Sequence, residues 1–364
     1  MKNLIYLGTS IINQRSNPLA SKLRYCTARD LSKIKVSHDD YEAFLNYLKQ
    51  ENKEIKEIAL ISTCNRFEFI IFLHDHIDNL DTGAEKIKSS IFRFLEKEFE
   101  MSLLLENEAR LQLLRTYCGL NSGLVGESEI CLQINGAFKQ ALSLGTLEEY
   151  GMELLKEAQI LRNFFNEEIY LKPISYCEIA IEKAFRSLSL ISPIRSVCIL
   201  GSGSTAIQSG LALVKNKIPA PDITLIHRVS SSSQQIEYFK SKKELDGMNF
   251  IRSKKHGYKT PKIAKLCSEN DLIVFGIDAK NPVVEFPERC NQVIFDFNSN
   301  PSCNFSRNRK HENYFPLNDL DAFVREYSYR QNNDFELSSR LNFGERYIQH
   351  HIKNNVKTFS SSLA

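Results

Sequence analysis

The chain has 364 residues, 42% hydrophobic and 25% charged, with a formal net charge of +3. That length exceeds one ordinary hydrophobic core, so two or three domains are expected. The charge is too small to mark a nucleic-acid binder, and no apolar run reaches the length of a membrane span. Met1 to Gly8 enter a strand-like pattern without the apolar core of a signal peptide. Nine scattered cysteines, none in Cys-x-x-Cys, suggest neither a metal site nor a disulfide framework. A reducing, cytoplasmic setting is the simplest expectation.

Residues 3–9 read as a strand, and Tyr41 to Leu48 carry apolar residues at helical spacing after the acidic Asp39-Asp40. Ile58 to Ile61 and Phe67 to Leu73 read as two short buried strands joined by Ser62-Thr63-Cys64-Asn65-Arg66. A cysteine at such a turn lies at the rim of a sheet, within reach of a ligand. Arg66 then offers a fixed cation that lowers a thiol pKa or holds a carboxylate. The plainer alternative is one of nine cysteines that happens to end a strand.

Helices are expected over 82–98 and 103–117. The following stretch, Cys118 to Glu129, holds Gly119, Gly123 and Gly126 among small and polar residues. Its backbone must turn sharply or approach a ligand closely. A helix over 127–144 turns its free amides and dipole towards this loop, which suits a carboxylate or phosphate. A simple helix–helix connector explains the glycines equally well. A further helix, 148–167, leads towards a second domain, and the alternation of strands and helices predicts an α/β first domain.

Val197 to Leu200 form an apolar strand that runs into Gly201-Ser202-Gly203-Ser204-Thr205-Ala206, a G-x-G-x-x-A turn. A helix over 204–215 and a strand over 222–226 follow, which is the context of a Rossmann-type dinucleotide site. NAD-selective sites place an acidic residue at the end of that second strand. His227-Arg228 and Ser230 to Ser232 stand there instead, so a 2′-phosphate and NADP are expected. Strands over 271–275 and 292–296 continue a parallel sheet. The tail from 317 is helical in pattern, with Leu337, Leu341, Ile348, Ile352 and Val356 in one stripe interrupted by Gly344. That stripe needs cover from its own chain or from a second subunit.

With these residues in view, the chain resembles glutamyl-tRNA reductase over about residues 3–325. The S-T-C-N-R stretch with Glu68 carries the resemblance furthest. Gly119 to Ser122, then Leu124, Val125, Glu127, Glu129, Ile130 and Gln133, are similar to the family's G-L-D-S-x-V-x-G-E-P-Q-I-x-x-Q. The glycine turn, Arg228 and Asn318-Asp319-Leu320 also look like the family.

The resemblance implies a catalytic glutamyl-tRNA-binding domain over 1–155, an NADP-binding Rossmann domain over 156–305 and a truncated helical dimerisation region over 306–364. It implies that Cys64 attacks the ester of glutamyl-tRNA(Glu), and that NADPH reduces the thioester to glutamate-1-semialdehyde, the first step of five-carbon tetrapyrrole synthesis. Thr63, Asn65, Arg66, Ser122, Glu127, Ser128, Glu129 and Gln133 then line the substrate pocket. A homodimer and an aminotransferase that receives the aldehyde are implied as partners.

The chain departs from the family in four places. Gln112 stands where the family has a histidine, and an amide does not act as a proton acid or base. Ser128 and Glu129 replace Pro and Gln, the first-strand G-x-x-H-x-x-A pattern is missing, and the tail is short. His74 and His76 after the second strand are candidates for the missing imidazole. These departures motivate the alternative of a non-catalytic glutamyl-tRNA-binding or regulatory homologue.

Overall fold

The computed structural model describes residues 3–10, 31, 34, 36, 38–63, 66–77, 79–122, 124–169, 175–188, 194–228, 233–253, 258–277, 281–286, 292–298, 300–305, 313–332 and 335–361. Cys64 and Asn65, and Ser230 to Ser232, lie outside the described residues. The chain divides into two compact units, one formed by residues 1–174 with 328–364 and the other by residues 175–327. The boundaries expected at 155 and 305 therefore differ from this division. Residue 155 falls inside the helix Glu149–Glu167, and the tail supplies no third unit.

The first unit is built on a four-stranded sheet of order β2-β3-β1-β4, comprising β1 (Leu4–Ser10), β2 (Ile55–Ser62), β3 (Arg66–Leu73) and β4 (Ser102–Leu105). Every neighbouring pair is antiparallel. β1 and β3 are buried along their whole length, so layers must cover both faces. Side-chain alternation then sorts the residues. Ile5, Leu7, Phe67, Phe69 and Ile71 pack against α1 (His38–Glu51) and α2 (Leu80–Leu95). Leu4, Tyr6, Ala59, Ile61, Ile70 and Phe72 pack against α3 (Glu106–Tyr117), α4 (Glu129–Ser143) and α5 (Glu149–Glu167). Arg66 and Glu68, in step with Ile70 and Phe72, belong to this second face.

The helix expected over 103–117 is corrected: its first residues form β4, which pairs with β1. Leu103, Leu104 and Leu105 suit a helix by propensity, and the open edge of β1 overrides it.

Glu57 shows how this face is held. Its buried carboxylate accepts from the amides of Glu148 at 3.0 Å, Tyr150 at 3.0 Å and Gly151 at 2.9 Å, capping the N-terminus of α5. Glu57→Ala leaves these donors unpaired and is expected to cost about 2–4 kcal/mol. Glu57→Gln, which keeps one acceptor, should cost less. Urea unfolding at constant m-value checks both, and equal midpoints for wild type and Glu57→Ala would refute the capping role.

The tail's apolar stripe is covered within its own chain. In α11 (Phe335–Ser361), which follows α10 (Leu317–Asn332), Leu341, Ile348 and Ile352 join the core beside α3 and α5. Tyr347 stacks on Phe164 with centroids 3.9 Å apart, and Glu345 pairs with Arg115 at 3.1 Å. Gly344 interrupts the stripe because a Cβ there would overlap the Phe165 ring. Close packing of the helices requires the gap.

The second unit opens with α6 (Tyr176–Ser187). It then builds a parallel six-stranded sheet from β5 (Val197–Leu200), β6 (Ile223–His227), β7 (Asn249–Arg252), β8 (Leu272–Phe275), β10 (Val293–Asp296) and β12 (Tyr314–Phe315). The order is β12-β10-β8-β5-β6-β7, so the chain starts in the middle, winds out one way, and returns to wind out the other. This is a doubly wound sheet with its switch point between β5 and β8. Two short strands, β9 (Val284–Phe286) and β11 (Cys303–Phe305), pair separately. The helices α7 (Ser204–Lys215), α8 (Ser233–Lys240) and α9 (Pro261–Ser268) are the crossovers.

Candidate active site and nucleotide site

The chain reverses between β2 and β3, where the Thr63 amide donates to the Arg66 carbonyl at 2.9 Å. Thr63 is half-buried at this turn. Arg66 opens β3 and is 2% exposed, so its charge must be answered inside the protein. Its Nη1 donates to Glu68 Oε1 at 2.8 Å, and its Nη2 donates to the Asn121 carbonyl. Burial opposes the guanidinium charge, and Glu68, Tyr6 and Glu127 together outweigh that penalty, so Arg66 is held firmly protonated.

The space for this pair comes from β1. Gly8 lies opposite Glu68 in the ladder, and a Cβ on Gly8 would come within 2.7 Å of the Tyr6 hydroxyl. Burial raises the Tyr6 phenol well above its ordinary value, and Glu68 adds to the rise. Tyr6 stays protonated as a donor beside Glu68.

The glycine loop brings the other groups to Arg66. Gly119 has φ +78°, and a Cβ there would press on the Gly126 and Glu127 backbone at 3.1 Å. Arg162 of α5 holds both ends of the loop, donating to the Cys118 carbonyl at 2.6 Å and the Gly126 carbonyl at 3.2 Å. Gln112 is buried in α3, and Asn121 Nδ2 donates to its Oε1 at 3.0 Å and to Thr116 Oγ1 at 3.2 Å. Gln112 thus orients Asn121, whose carbonyl meets Arg66. Desolvation pushes the Glu127 carboxyl up, opposed by the Arg66 charge and by a hydrogen bond from Ser122.

The structure therefore gathers Glu68, Asn121, Ser122 and Glu127 around one buried cation, Arg66, with Gln112 behind Asn121. Ser128 precedes α4, Glu129 opens it and Gln133 lies one turn further on, with the Ser128 hydroxyl 3.5 Å from Glu129 Oε2. Tyr6 and Arg162 escaped the sequence reading, and Asn121 stood in the Gly119 to Ser122 stretch without a role. Tyr6 left a trace as the polar end of a residue in step with the inward positions of β1. His74 and His76 are corrected as candidates for a missing imidazole. They follow the opposite end of β3, roughly 25 Å along the strand from Arg66 at about 3.3 Å per residue.

In the second unit Gly201 ends β5 with φ +132°, and a Cβ there would overlap the Gly276 carbonyl at the end of β8. Both glycines sit at the switch point, at the carboxyl edge where such sheets take ligands. Gly203 caps α7, and a Cβ on it would meet no described protein atom within 4 Å. Ser202, Ser204 and Thr205 are half-buried around it, and Ala206 is buried against Gly276. The open space over Gly203 and the uncapped amides of α7 fit a pyrophosphate. The Arg228 guanidinium, exposed after β6, lies over the Tyr258 ring at 5.1 Å from its centroid.

These features define a two-unit α/β protein: a doubly wound dinucleotide-type fold, and a mixed sheet–helix unit whose polar cluster surrounds Arg66. Residues 22–161 match the family model described as the N-terminal domain of glutamyl-tRNAGlu reductase. The chain is 25% identical to the glutamyl-tRNA reductase of Streptococcus sanguinis over 336 residues, covering 89% of this chain and 72% of that protein. It is 32% identical to that of Bacillus velezensis over 179 residues, covering 47% of this chain and 38% of that protein. A solved glutamyl-tRNA reductase from Methanopyrus kandleri aligns with a TM-score of 0.49 at 18% identity, covering 99% of this chain and 81% of that one. Over residues 22–161 the chain is thus similar to the N-terminal domain of glutamyl-tRNA reductases. No helix among the described residues is long and apolar enough to cross a membrane.

Proposed function

We propose that this protein reduces glutamyl-tRNA(Glu) to glutamate-1-semialdehyde with NADPH, through a thioester on Cys64. The observation that carries this reading is the gathering of Arg66, Ser122 and Glu127 directly after the turn that holds Cys64 in sequence. The Cys64 thiolate attacks the ester carbonyl, a thioester forms, and the tRNA 3′ hydroxyl leaves with a proton. When bound, NADPH supplies a hydride equivalent to the acyl carbon, and the aldehyde and the free thiolate result.

The chain's own residues supply the setting. Arg66 is a fixed positive charge near the turn and favours the thiolate over the thiol. Glu127 offers an acceptor for the substrate's α-ammonium, and Ser122 orients it. Thr63, Asn65, Ser128, Glu129 and Gln133 complete the pocket. Gly201, Ser202, Gly203, Ser204, Thr205 and Ala206 hold the pyrophosphate, and Arg228 the 2′-phosphate. Gln112 positions Asn121 and exchanges no proton. The reading places the protein in the cytoplasm, with an aminotransferase as recipient of the reactive aldehyde. A homodimer belongs to this reading too; within the chain, Leu341, Ile348 and Ile352 of the tail stripe are buried in the first unit's core.

A single-turnover assay with glutamate-labelled glutamyl-tRNA tests this. Wild type without NADPH should trap the label as a thioester and release it as aldehyde when NADPH is added, whereas Cys64→Ala should trap none. Tight tRNA binding without transfer of label in wild type would sink the reading and favour a binding-only homologue.

A further inference from the structure

Two lines of contact run from the tail helix α11 to the loop between Cys118 and Glu127, which carries Ser122 and Glu127 to Arg66. The first passes through α3. Glu345 of α11 meets Arg115 at 3.1 Å, with the two side chains only 16% and 13% exposed. Arg115 stands in the last turn of α3, and its carbonyl accepts from the Leu120 amide at 2.9 Å. The next carbonyl, of Thr116, accepts from the Gly119 amide at 3.0 Å, and Gly119 is left-handed at φ +78°. Those two bonds are a Schellman closure, so the residue that Glu345 holds is the one on which the loop is closed. Burial works against the Arg115 charge, and Glu345 offsets part of that cost. Burial also pushes the Cys118 thiol up to about 12, and the Glu345 charge adds to that rise at the loop's first residue.

The second line passes through α5. Gly344 lies against the Phe165 ring, and Tyr347 stacks on Phe164. Arg162, one turn before Phe165, grips the loop through the Cys118 and Gly126 carbonyls. Inside the loop, the Gly126 amide donates to the Gly119 carbonyl at 3.2 Å and the Glu127 amide to the Leu124 carbonyl at 3.1 Å. Leu120 and Val125 of the loop share one core with Leu341 and Ile348 of α11. The shape of the loop thus leans on α3 and α5, and α11 is packed against both.

We propose that α11 braces the substrate loop, with Glu345 as a positioning residue that acts through Arg115. The inference rests on the substrate reading of the Arg66 cluster and adds to it a residue from the far end of the chain. Without the Glu345 charge, a largely buried cation is left unanswered in the last turn of α3. That turn and its closure with Gly119 then open more often, and Ser122 and Glu127 lose their register with the glutamyl group. Cys64 and Arg66 stand on the other side of the site, so the loss falls on substrate binding and not on the acyl-transfer step.

Amide hydrogen exchange of the full chain, read by mass spectrometry, tests the brace without substrate. Glu345→Gln should speed exchange over residues 119–127 by about tenfold and leave the β1 and β3 amides near wild type. Arg346→Gln, on the exposed side of the same helix, should leave the loop's exchange unchanged. With glutamyl-tRNA and NADPH, Glu345→Gln should raise KM about three- to tenfold and hold kcat within about twofold. The double variant Glu345→Gln with Arg115→Gln should lose less than its two single losses combined, because one pair is broken only once. Unchanged loop exchange in Glu345→Gln, a rise spread equally over loop and sheet, or strict additivity of the two changes would overturn the brace. A wild type that forms no thioester on Cys64 would overturn the proposed function, and the exchange measurement would still decide the brace.

Discussion

Arg66→Met is expected to cost about 3–5 kcal/mol of folding stability and to abolish aldehyde production. Breaking a buried ion pair from one side leaves the partner charge unanswered, which is the expensive half of such an exchange. Arg66 meets Glu68 at 2.8 Å with both side chains buried, and it lowers the charging cost of Glu127. Its removal leaves two carboxylates facing the same apolar layer. A stability of about 5–15 kcal/mol absorbs that loss with little margin.

The pH dependence has a definite sign. Desolvation already raises the Glu127 carboxyl, and without Arg66 the opposing charge is gone. The folded variant then binds a proton at Glu127 more readily than the unfolded chain does, so its stability falls as pH rises through that group's folded pKa. The deficit relative to wild type should therefore be smaller at pH 5 than at pH 8, as measured by denaturant midpoints. Arg66→Lys should recover only part of the loss, because one ammonium does not reproduce the fork that reaches both Glu68 and the Asn121 carbonyl. Arg66→Met combined with Glu68→Gln should be more stable than the sum of the single losses. A pH-independent deficit, or strict additivity, would mean that the guanidinium is held by packing alone.

The elements with one clear period were legible in the sequence, and those made by pairing were not. β5, α7 and β6 lie close to their expected places because an apolar strand, a glycine turn and a helix are each specified locally. β4 was hidden because three leucines in a row carry no alternation, and only the free edge of β1 makes them a strand. The same division runs through the first site. Arg66, Ser122 and Glu127 stand in recognisable stretches, so the sequence marks them. That Arg66 would be buried, with Tyr6 and Asn121 around it, depends on Gly8 standing opposite Glu68 in a pairing between residues sixty positions apart. Arg162 is further from view still, because its role is to hold the carbonyls of a loop and not to touch the cluster.

Gly201→Ala and Gly203→Ala should both weaken dinucleotide binding by about a hundredfold or more, for opposite reasons that one pair of measurements separates. Gly201 has φ +132°, a conformation costly for any residue with a Cβ, and its added methyl would overlap the Gly276 carbonyl. The obstacle is backbone, so the turn itself must move and carry the first amides of α7 away from the pyrophosphate. Stability should fall with affinity, by about 2–4 kcal/mol for strain and displaced packing. Gly203 has φ −78°, which alanine adopts without strain, and its added methyl would meet no described protein atom within 4 Å. Stability should hold or rise slightly, because the unfolded chain loses freedom. Affinity should still collapse, since that methyl would stand in the space where the pyrophosphate approaches the backbone. Thermal unfolding read beside nucleotide titration decides the case. If Gly203→Ala binds NADPH as wild type does, the open space over the turn is not the phosphate seat, and the nucleotide reading of the second unit falls with it.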